Sequence, residues 1–207
     1  MASNPTTVAT GSGGPAVDGQ RPLRADALRN RARVLQAAEA LFAAEGVGVP
    51  VDVIAEKAGV GVGTLYRHFP TKEKLYEAIL IERIAGFTAD ARRRLGSENP
   101  GQAFFGFLED LVAQSSLKRD LINAMAGAGV EFEVVAAEAK LALQAAVTDL
   151  LVVAQRAGSV RSDVTGPLVL SLIGATCVAA DRPGQAASSN EMLAVVCDGL
   201  RVTGAGR

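Results

Sequence analysis

The sequence predicts an all-α fold of about nine helices. Apolar residues recur at helical spacing through most of the chain after Leu23, as in the single stripe formed by Val34, Ala38, Leu41 and Phe42. The periodic stretches end at Gly or Pro residues, which interrupt helices. No series of strands with alternating apolar and polar residues appears. These three observations together favour a helical protein over a mixed one.

The chain opens with a segment that is predicted to be disordered. Residues 1–20 are mostly small and polar with one charge, so they bury too little apolar surface to offset the entropy of ordering. The first helix follows from Leu23 and is expected to end at Gly46. Pro50 is well placed as the first residue of the next helix, because a helix start leaves the N–H that Pro lacks unpaired.

Residues 51–75 have the pattern of a helix-turn-helix followed by a third helix. The two helices of such a motif cross closely, so a small residue is needed at the contact, and Ala55 provides it. The turn needs a residue that tolerates positive φ, which Gly59 does. The expected apolar wedge between the helices consists of Ile54, Ala58, Val60 and Leu65.

The second helix of the motif is expected to present an exposed face that fits the major groove of DNA. The residues on that face, taken as candidate DNA-binding residues, are Val62, Gly63, Thr64, Tyr66, Arg67 and His68. The next helix begins near Thr71, a suitable N-cap, and puts Lys72 in its first turn. A phosphate bound there would be stabilised by backbone N–H groups and the lysine together. The alternative is a solvated lysine balanced by Glu73.

The helix after Thr71 is expected to reach about Leu95, and later helices are predicted at 102–116, 118–127, 131–157, 164–180 and 188–203. Ser188 and Glu191 have the spacing of a capping box at the start of the last one. The last two helices carry apolar stripes that suit a four-helix interface between two subunits, or an ordinary core. Those stripes contain Leu168, Leu172, Ala175 and Ala179, and Met192, Leu193, Val196 and Leu200.

The charges divide the chain into a basic and an acidic half. Residues 21–94 carry 13 Lys/Arg against 9 Asp/Glu, and residues 95–207 carry 8 against 12. Such asymmetry indicates a basic interaction module, although ordinary scatter could also produce it. The predicted organisation is a tail over 1–20, a helix-turn-helix domain over 21–70, and a ligand-binding and dimerisation domain over 71–207, connected through helix 71–95.

The central residues resemble the DNA-binding domain of TetR-type repressors. The resemblance covers about residues 29–80 and rests on Ile54-Ala55-x-x-Ala58-Gly59-Val60 and Gly63-Thr64-Leu65-Tyr66-Arg67-His68-Phe69-x-x-Lys72-Glu73-x-Leu75. It implies a homodimer of nine-helix subunits that pair through their last two helices, with a small-molecule pocket among the middle helices. It also implies phosphate contacts by Tyr66, His68 and Lys72, and groove contacts by Thr64 and Arg67.

Two departures from the family pattern concern how the chain reads DNA. Val49-Pro50 stands where the family usually has Thr or Ser, and Gly61-Val62 stands where a polar pair usually opens the recognition helix. Gly61 and Gly63 each weaken a short helix by roughly 1 kcal/mol relative to Ala, so this helix is hypothesised to be partly frayed until DNA binds. A second hypothesis, beside that of an ordinary solvated face, is a minor-groove arm formed by Arg21, Arg24, Arg29, Arg31 and Arg33.

The candidate effector site is mostly apolar. Its predicted wall consists of Phe87, Phe104, Phe107, Leu108, Leu111 and Met125, with Asn123, Gln144 and Thr176 as possible orienting polar groups. Such a wall suits a small, largely hydrophobic effector. The sequence does not separate pocket lining from core.

Nothing in the sequence indicates an enzyme, a cofactor or a metal site. His68 is the single histidine and has no carboxylate or nucleophile at helical spacing, and Cys177 and Cys197 are expected to be buried free thiols. No signal peptide or membrane span is apparent, which predicts a cytoplasmic protein. The expected function is a DNA-binding transcriptional regulator, a repressor released from a palindromic operator by its effector. The alternative is an all-helical small-molecule binding protein or enzyme without DNA function.

Overall fold

The computed structural model describes residues 20–129, 132–179 and 188–202, and within these ranges the protein is all-α, as predicted. The predicted disordered tail falls almost entirely on residues 1–19, outside the described residues. The described part contains nine helices of seven or more residues and one four-residue segment: α1 Gln20–Glu45, α2 Val51–Ala58, α3 Val62–His68, α4 Lys72–Arg94, α5 Pro100–Ala113, α6 Ser115–Gly127, α7 Phe132–Val135, α8 Ala137–Arg156, α9 Gly166–Ala179 and α10 Ser189–Leu200.

Two local predictions need correction. The single helix expected over 131–157 is divided at Ala136, because this residue is fully buried in the core with a turn conformation that apolar periodicity does not reveal. Pro50 is the N-cap of α2 rather than its first residue. Its backbone stays extended at ψ 150°, and its carbonyl accepts a hydrogen bond from the Ile54 N–H at 3.3 Å.

Side-chain caps begin several helices as their sequences predict. The Thr71 hydroxyl accepts from the Lys74 N–H at 3.3 Å at the start of α4. Ser188 and Glu191 form the complete capping box of α10, with the Glu191 carboxylate 2.6 Å from the Ser188 backbone nitrogen. These contacts satisfy backbone donors that the helix cannot pair internally.

The buried residues form two clusters that share α4. The first contains the inner faces of α1, α2 and α3, the first half of α4, Ala136, and three residues of α6: Leu117, Leu121 and Met125. The second contains the end of α4 with α5, α8, α9 and α10. Helix α6, from the second half of the chain, therefore completes the first cluster, and α4 contributes residues to both clusters.

Candidate nucleic-acid interface and effector cavity

The turn between α2 and α3 depends on Gly59. Its φ of 62° lies in the left-handed region, and its N–H donates to the Glu56 carbonyl at 2.9 Å to end α2. A Cβ on Gly59 would lie 2.4 Å from the Arg33 guanidinium, which donates to the Gly59 carbonyl at 2.9 Å. The structure confirms that Gly59 provides the positive φ of the turn. A second reason for glycine at this position is that a side chain would collide with Arg33 of α1.

The wedge residues of the motif hold α3 so that one side remains in solvent. Ile54, Ala55 and Leu65 are at most 1 % exposed, whereas Val62 and Tyr66 are 40 % and 46 % exposed. Gly63 and Arg67 are also exposed, and Thr64 and His68 are half-buried. The candidate DNA-binding residues of α3 therefore lie on or beside one accessible surface, with the Leu65 side chain opposite them.

Lys72 lies at the start of α4, next to the end of α3. Its ammonium is 5.8 Å from the centre of the Tyr76 ring. Partial burial lowers the pKa of Lys72 from its ordinary value, and the negative charge of Glu73 opposes that shift. Lys74, two residues on, is held differently, because its ammonium pairs with the Glu77 carboxylate at 2.7 Å. Lys72 is thus the better placed of the two to bind a phosphate.

Tyr76 positions this part of α4 and was not singled out from the sequence. Its hydroxyl donates to the Val47 carbonyl at 2.7 Å, and its ring meets that of Phe42 edge-on with centres 5.4 Å apart. These contacts fix the start of α4 against α1 and the loop that follows it. The i, i+4 spacing of Lys72 and Tyr76 was the available signal, since it puts both on one side of a helix.

Three arginines of α1 that the structure describes have partners within the protein. The Arg31 guanidinium lies 5.2 Å from the centre of the buried Phe69 ring, Arg33 binds Gly59, and Arg29 pairs with Asp26. These contacts favour a structural role for Arg31 and Arg33 over the hypothesised minor-groove arm, whereas the exposed pair of Arg29 leaves that residue available for DNA. The side chains of Arg21 and Arg24 lie outside the described part of the structure.

A cavity of about 330 Å³ lies between α4, α5, α6, α8 and α9. Its apolar lining is formed by Leu80, Ile84, Phe87, Leu111, Ile122, Leu143, Leu170, Ile173 and Val178. A second cavity of about 370 Å³ adjoins it and shares Ile84, Lys118, Leu143 and Leu170. Both volumes are within the lower range of small-molecule sites.

The predicted effector residues fall partly around this space and partly in the core. Phe87 and Leu111 line the first cavity and Gln144 lines the second. Phe104, Phe107 and Leu108 do not line either cavity, because they are completely buried in the second core cluster.

The other three predicted effector residues also lie away from the cavities. Met125 is completely buried in the first core cluster, and Asn123, two residues earlier on α6, is exposed. The Thr176 hydroxyl is buried and donates to the Leu172 carbonyl at 2.9 Å, so its hydrogen bond is made within α9. Residues that sequence reasoning did not identify, above all Arg83 and Cys177, line the first cavity instead.

The last two helices leave apolar side chains in solvent. Leu168, Val178 and Val195 are 45 %, 58 % and 73 % exposed. Of the stripes singled out from sequence, Leu193 and Leu200 belong to the core, while Leu168 and Ala175 face outward and Leu172, Met192 and Val196 are half-buried. Ala179 has no described side chain. Cys197 is buried as expected, but Cys177 is only half-buried, because it borders the cavity.

Within the part of the chain that the structure describes, no group of histidine, cysteine or acidic side chains is arranged to hold a metal ion. None of the described helices is both long and apolar enough to cross a bilayer.

Comparisons with known proteins agree on one family. Residues 34–79 match the model described as bacterial regulatory proteins, tetR family, and residues 99–202 match that of the transcriptional regulator SbtR-like C-terminal domain. A TetR regulatory protein from Mycobacterium vanbaalenii is 45 % identical over 87 % of this chain and 100 % of its own, with a TM-score of 0.72. A TetR regulator from Streptomyces coelicolor is 30 % identical over 84 % of this chain and 99 % of its own, with a TM-score of 0.68. A curated HTH-type transcriptional regulator of Staphylococcus aureus is 46 % identical over 54 residues, a match that spans 26 % of this chain and only 29 % of that protein.

Proposed function

Because this chain belongs to the TetR family of transcriptional regulators, we propose that it represses transcription as a homodimer that binds a palindromic operator in the cytoplasm and releases it when a small, largely hydrophobic effector binds. Regulators of this family have a DNA-binding domain and are not enzymes. The enzyme alternative is therefore set aside. Repression, the palindrome and the effector are the parts that experiment must establish.

The observation that carries the proposal is the accessible face of α3 beside Lys72. Thr64 and Arg67 would contact groove edges, and Tyr66, His68 and Lys72 would position the protein on phosphates. Val62 and Gly63 would lie against the groove, where they add shape and no hydrogen bond. The interface has more side chains that would contact phosphates than side chains that would hydrogen-bond to base edges. We therefore expect the affinity for DNA to depend markedly on salt concentration.

Dimerisation is supported by the outward apolar side chains of α9 and α10. Leu168, Val178 and Val195 would be buried between two copies of the chain, in a four-helix contact with two-fold symmetry. Such symmetry would set the two recognition helices about 34 Å apart, which matches successive major grooves. This separation is the reason to expect a palindromic site.

Effector control is supported by the cavity that borders α4. Proteins of the same fold bind small molecules: one 21 % identical neighbour was solved with resorcinol and one 18 % identical neighbour with choline. A ligand in this cavity would contact the helix that also carries Lys72. If the ligand-bound state prefers another separation of the recognition helices, the affinity for DNA falls by population shift.

The test is selection of bound sequences from a random duplex pool, followed by binding assays with the recovered site. A palindrome with half-sites one helical turn apart is the expected result. Lys72→Ala should weaken binding of the dimer about tenfold or more and reduce the slope of log affinity against log salt by about two, one for each subunit. The matched control is Lys74→Ala, which removes the same charge from a lysine that Glu77 already binds. Recovery of no preferred sequence, or equal losses in the two variants, would contradict the proposal.

The hypothesis that α3 is partly frayed without DNA can be tested by amide hydrogen exchange. The helix is complete in the structure, and Leu65 is its one buried residue. Amide hydrogen exchange over residues 61–68 should slow when the operator is added. Gly61 is the N-cap of α3, a position that tolerates glycine, so only Gly63 lies inside the helix. Exchange that is equally slow with and without operator would show that Gly63 does not loosen this helix.

A further inference from the structure

The cavity between α4 and α9 has a charge pattern as well as an apolar wall. Every charged residue that the structure describes on its lining is basic: Arg83 from α4, and Lys118 and Arg119 from α6. Lys140 adds a fourth basic residue in the adjoining cavity. An apolar chamber edged by basic groups complements a molecule with an apolar body and an acidic end.

Arg83 is the most informative of these residues. Its side chain is 13 % exposed and its guanidinium donates to the Glu39 carboxylate on α1. The Nη2 group donates to the Gln114 carbonyl at 3.1 Å and to the Gln114 side-chain oxygen at a long 3.4 Å. The Nε–H is buried and has no hydrogen-bond partner. A buried unpaired donor on a charged group is costly, and a shift of the Arg83 side chain towards the cavity would let this edge pair with an anion.

We infer that the effector is an amphipathic organic anion whose acidic group binds the Nε and Nη2 edge of Arg83 while its apolar body fills the cavity. The inference rests on the proposed function and narrows the effector to a chemical class. Two parallel N–H···O bonds from one guanidinium edge to a carboxylate are stronger than bonds to a neutral acceptor. The acid would replace the long contact to the Gln114 side chain, which is the weaker of the two that Gln114 makes.

The same contact connects the cavity to the DNA-binding helices. Arg83 joins α4 to Glu39 of α1 and to Gln114 at the junction of α5 and α6. Glu39 accepts from Nη1, so an anion on the Nε and Nη2 edge does not displace it but shares the charge of the same guanidinium, and the ion pair between α1 and α4 weakens as the cavity fills. On its other side Arg83 borders a surface depression with Glu39, Glu82, Asp90 and Asp110, which would repel an anion. The acidic end is therefore confined to the cavity side.

The experiment compares octanoate, octan-1-ol and octylammonium, which share one apolar chain and differ in charge. Their dissociation constants are measured by titration calorimetry, and occupancy of the cavity is measured as protection of Cys177 from alkylation. Cys177 lines the cavity whereas Cys197 is buried away from it, so Cys197 serves as an internal reference for unfolding. Octanoate should bind about tenfold tighter than octanol, and octylammonium more weakly than either.

Two variants test the assignment to Arg83. Arg83→Met should remove the advantage of octanoate over octanol. Glu39→Gln, which changes a residue outside the cavity lining, should strengthen octanoate binding because the negative charge that repels the bound acid is gone. The second variant keeps the test valid if Arg83→Met fails to fold. Octanol that binds as tightly as octanoate, no binding of any probe, or octanoate affinity that Glu39→Gln leaves unchanged would each overturn the inference.

The proposed function can fail separately. If octanol releases the selected operator as readily as octanoate does, the inference that the effector is an anion is refuted. The proposal that a ligand controls DNA binding is then still supported. Absence of a preferred sequence in the random pool would refute the proposed operator whatever binds in the cavity.

Discussion

The DNA-binding region (α1 to α3 with the start of α4) and the effector region (the rest of the chain) are both helical and both have a buried core, but they use their surfaces differently. In the first, backbone devices such as Gly59 and the Thr71 cap fix the helices, and the functional side chains lie outside on α3 and Lys72. In the second, function is expected inside a cavity that five helices border. An exterior surface suits recognition of a DNA duplex, and an internal space suits a ligand that must alter packing.

The two regions are nevertheless not independent. Leu121 and Met125 of α6 complete the core of the DNA-binding region, and Arg83 of α4 joins α1 to the wall of the cavity. A regulator needs such shared elements, because an effector can change DNA affinity only if it binds the two states of the protein unequally. Substitutions in each region test whether the two regions share their stability and which contacts stabilise each of them.

The largest expected effect comes from Leu121→Ala, which removes a completely buried side chain of α6. Truncation of a buried leucine costs about 2 to 5 kcal/mol of unfolding free energy. Amide hydrogen exchange should accelerate in α1 and the start of α4. The control is Leu150→Ala in α8, an equally buried leucine of the second cluster, which should accelerate exchange first in α5 and α10. Identical exchange patterns in the two variants would show that the clusters unfold as one unit.

Gly59→Ala should have the next largest effect. A non-glycine residue with left-handed backbone costs roughly 1 to 2 kcal/mol, and here the Arg33 guanidinium must move as well. Chemical denaturation of Gly46→Ala provides the control, because Gly46 has a φ of 84° but no atom near the position of the added Cβ. If Gly59→Ala lowers the free energy of unfolding by no more than Gly46→Ala does, the contact of Gly59 with Arg33 contributes nothing to stability.

Tyr76→Phe should cost about 1 kcal/mol by removing the bond to the Val47 carbonyl. Burial raises the pKa of the Tyr76 phenol above its ordinary value, and the negative charge of Glu73 raises it further. The phenol therefore loses its proton more readily in the unfolded chain than in the folded one. Its contribution is fully present below the unfolded pKa and is lost as the pH rises through the folded pKa.

The measurement for Tyr76 is the difference in unfolding free energy between wild type and Tyr76→Phe across the alkaline range. That difference should shrink as the pH rises. A constant difference would indicate that the hydroxyl acts through packing and not through its proton.

The smallest expected effect is at the capping box of α10. The backbone N–H of Ser188 lowers the pKa of the Glu191 carboxyl from its ordinary value, and the Ser188 hydroxyl lowers it further. Its stabilising contribution is therefore present above the unfolded pKa and is lost as the pH falls through the folded pKa. The difference in Tm between wild type and Glu191→Gln should be small at neutral pH and disappear in acid. A difference that persists in acid would contradict the role of the charge.

How far the sequence predicted each region follows from the range of the interactions involved. The turn at Gly59, the cap at Thr71, the capping box at Ser188 and the buried stripe of α1 were all predicted correctly, because each depends on neighbours within one or two turns. The effector residues were harder. Phe104 and Met125 fit either pocket lining or core by sequence, and only the packing of helices distant in the chain puts them in the core.

The position of Arg83 on α4 is a signal that the sequence itself contains. It falls within the apolar face of α4 formed by Leu80, Ile84 and Phe87, where a charged residue is unusual and needs a partner. The spacing alone signals a functional or paired arginine. It does not identify Glu39 or Gln114 as the partners, since these lie 44 and 31 residues away in the chain.

By itself the sequence determined the helical fold, the helix-turn-helix and its exposed residues, and the family, because periodicity, caps and the glycine turn are properties of short segments. The tertiary structure alone decided that α6 completes the core of the DNA-binding region and that the cavity is edged by basic residues. It also decided that one arginine connects that cavity to α1. The reason is physical: a cavity and a coupling contact exist only between elements, and their positions depend on how side chains far apart in the chain fill the same space.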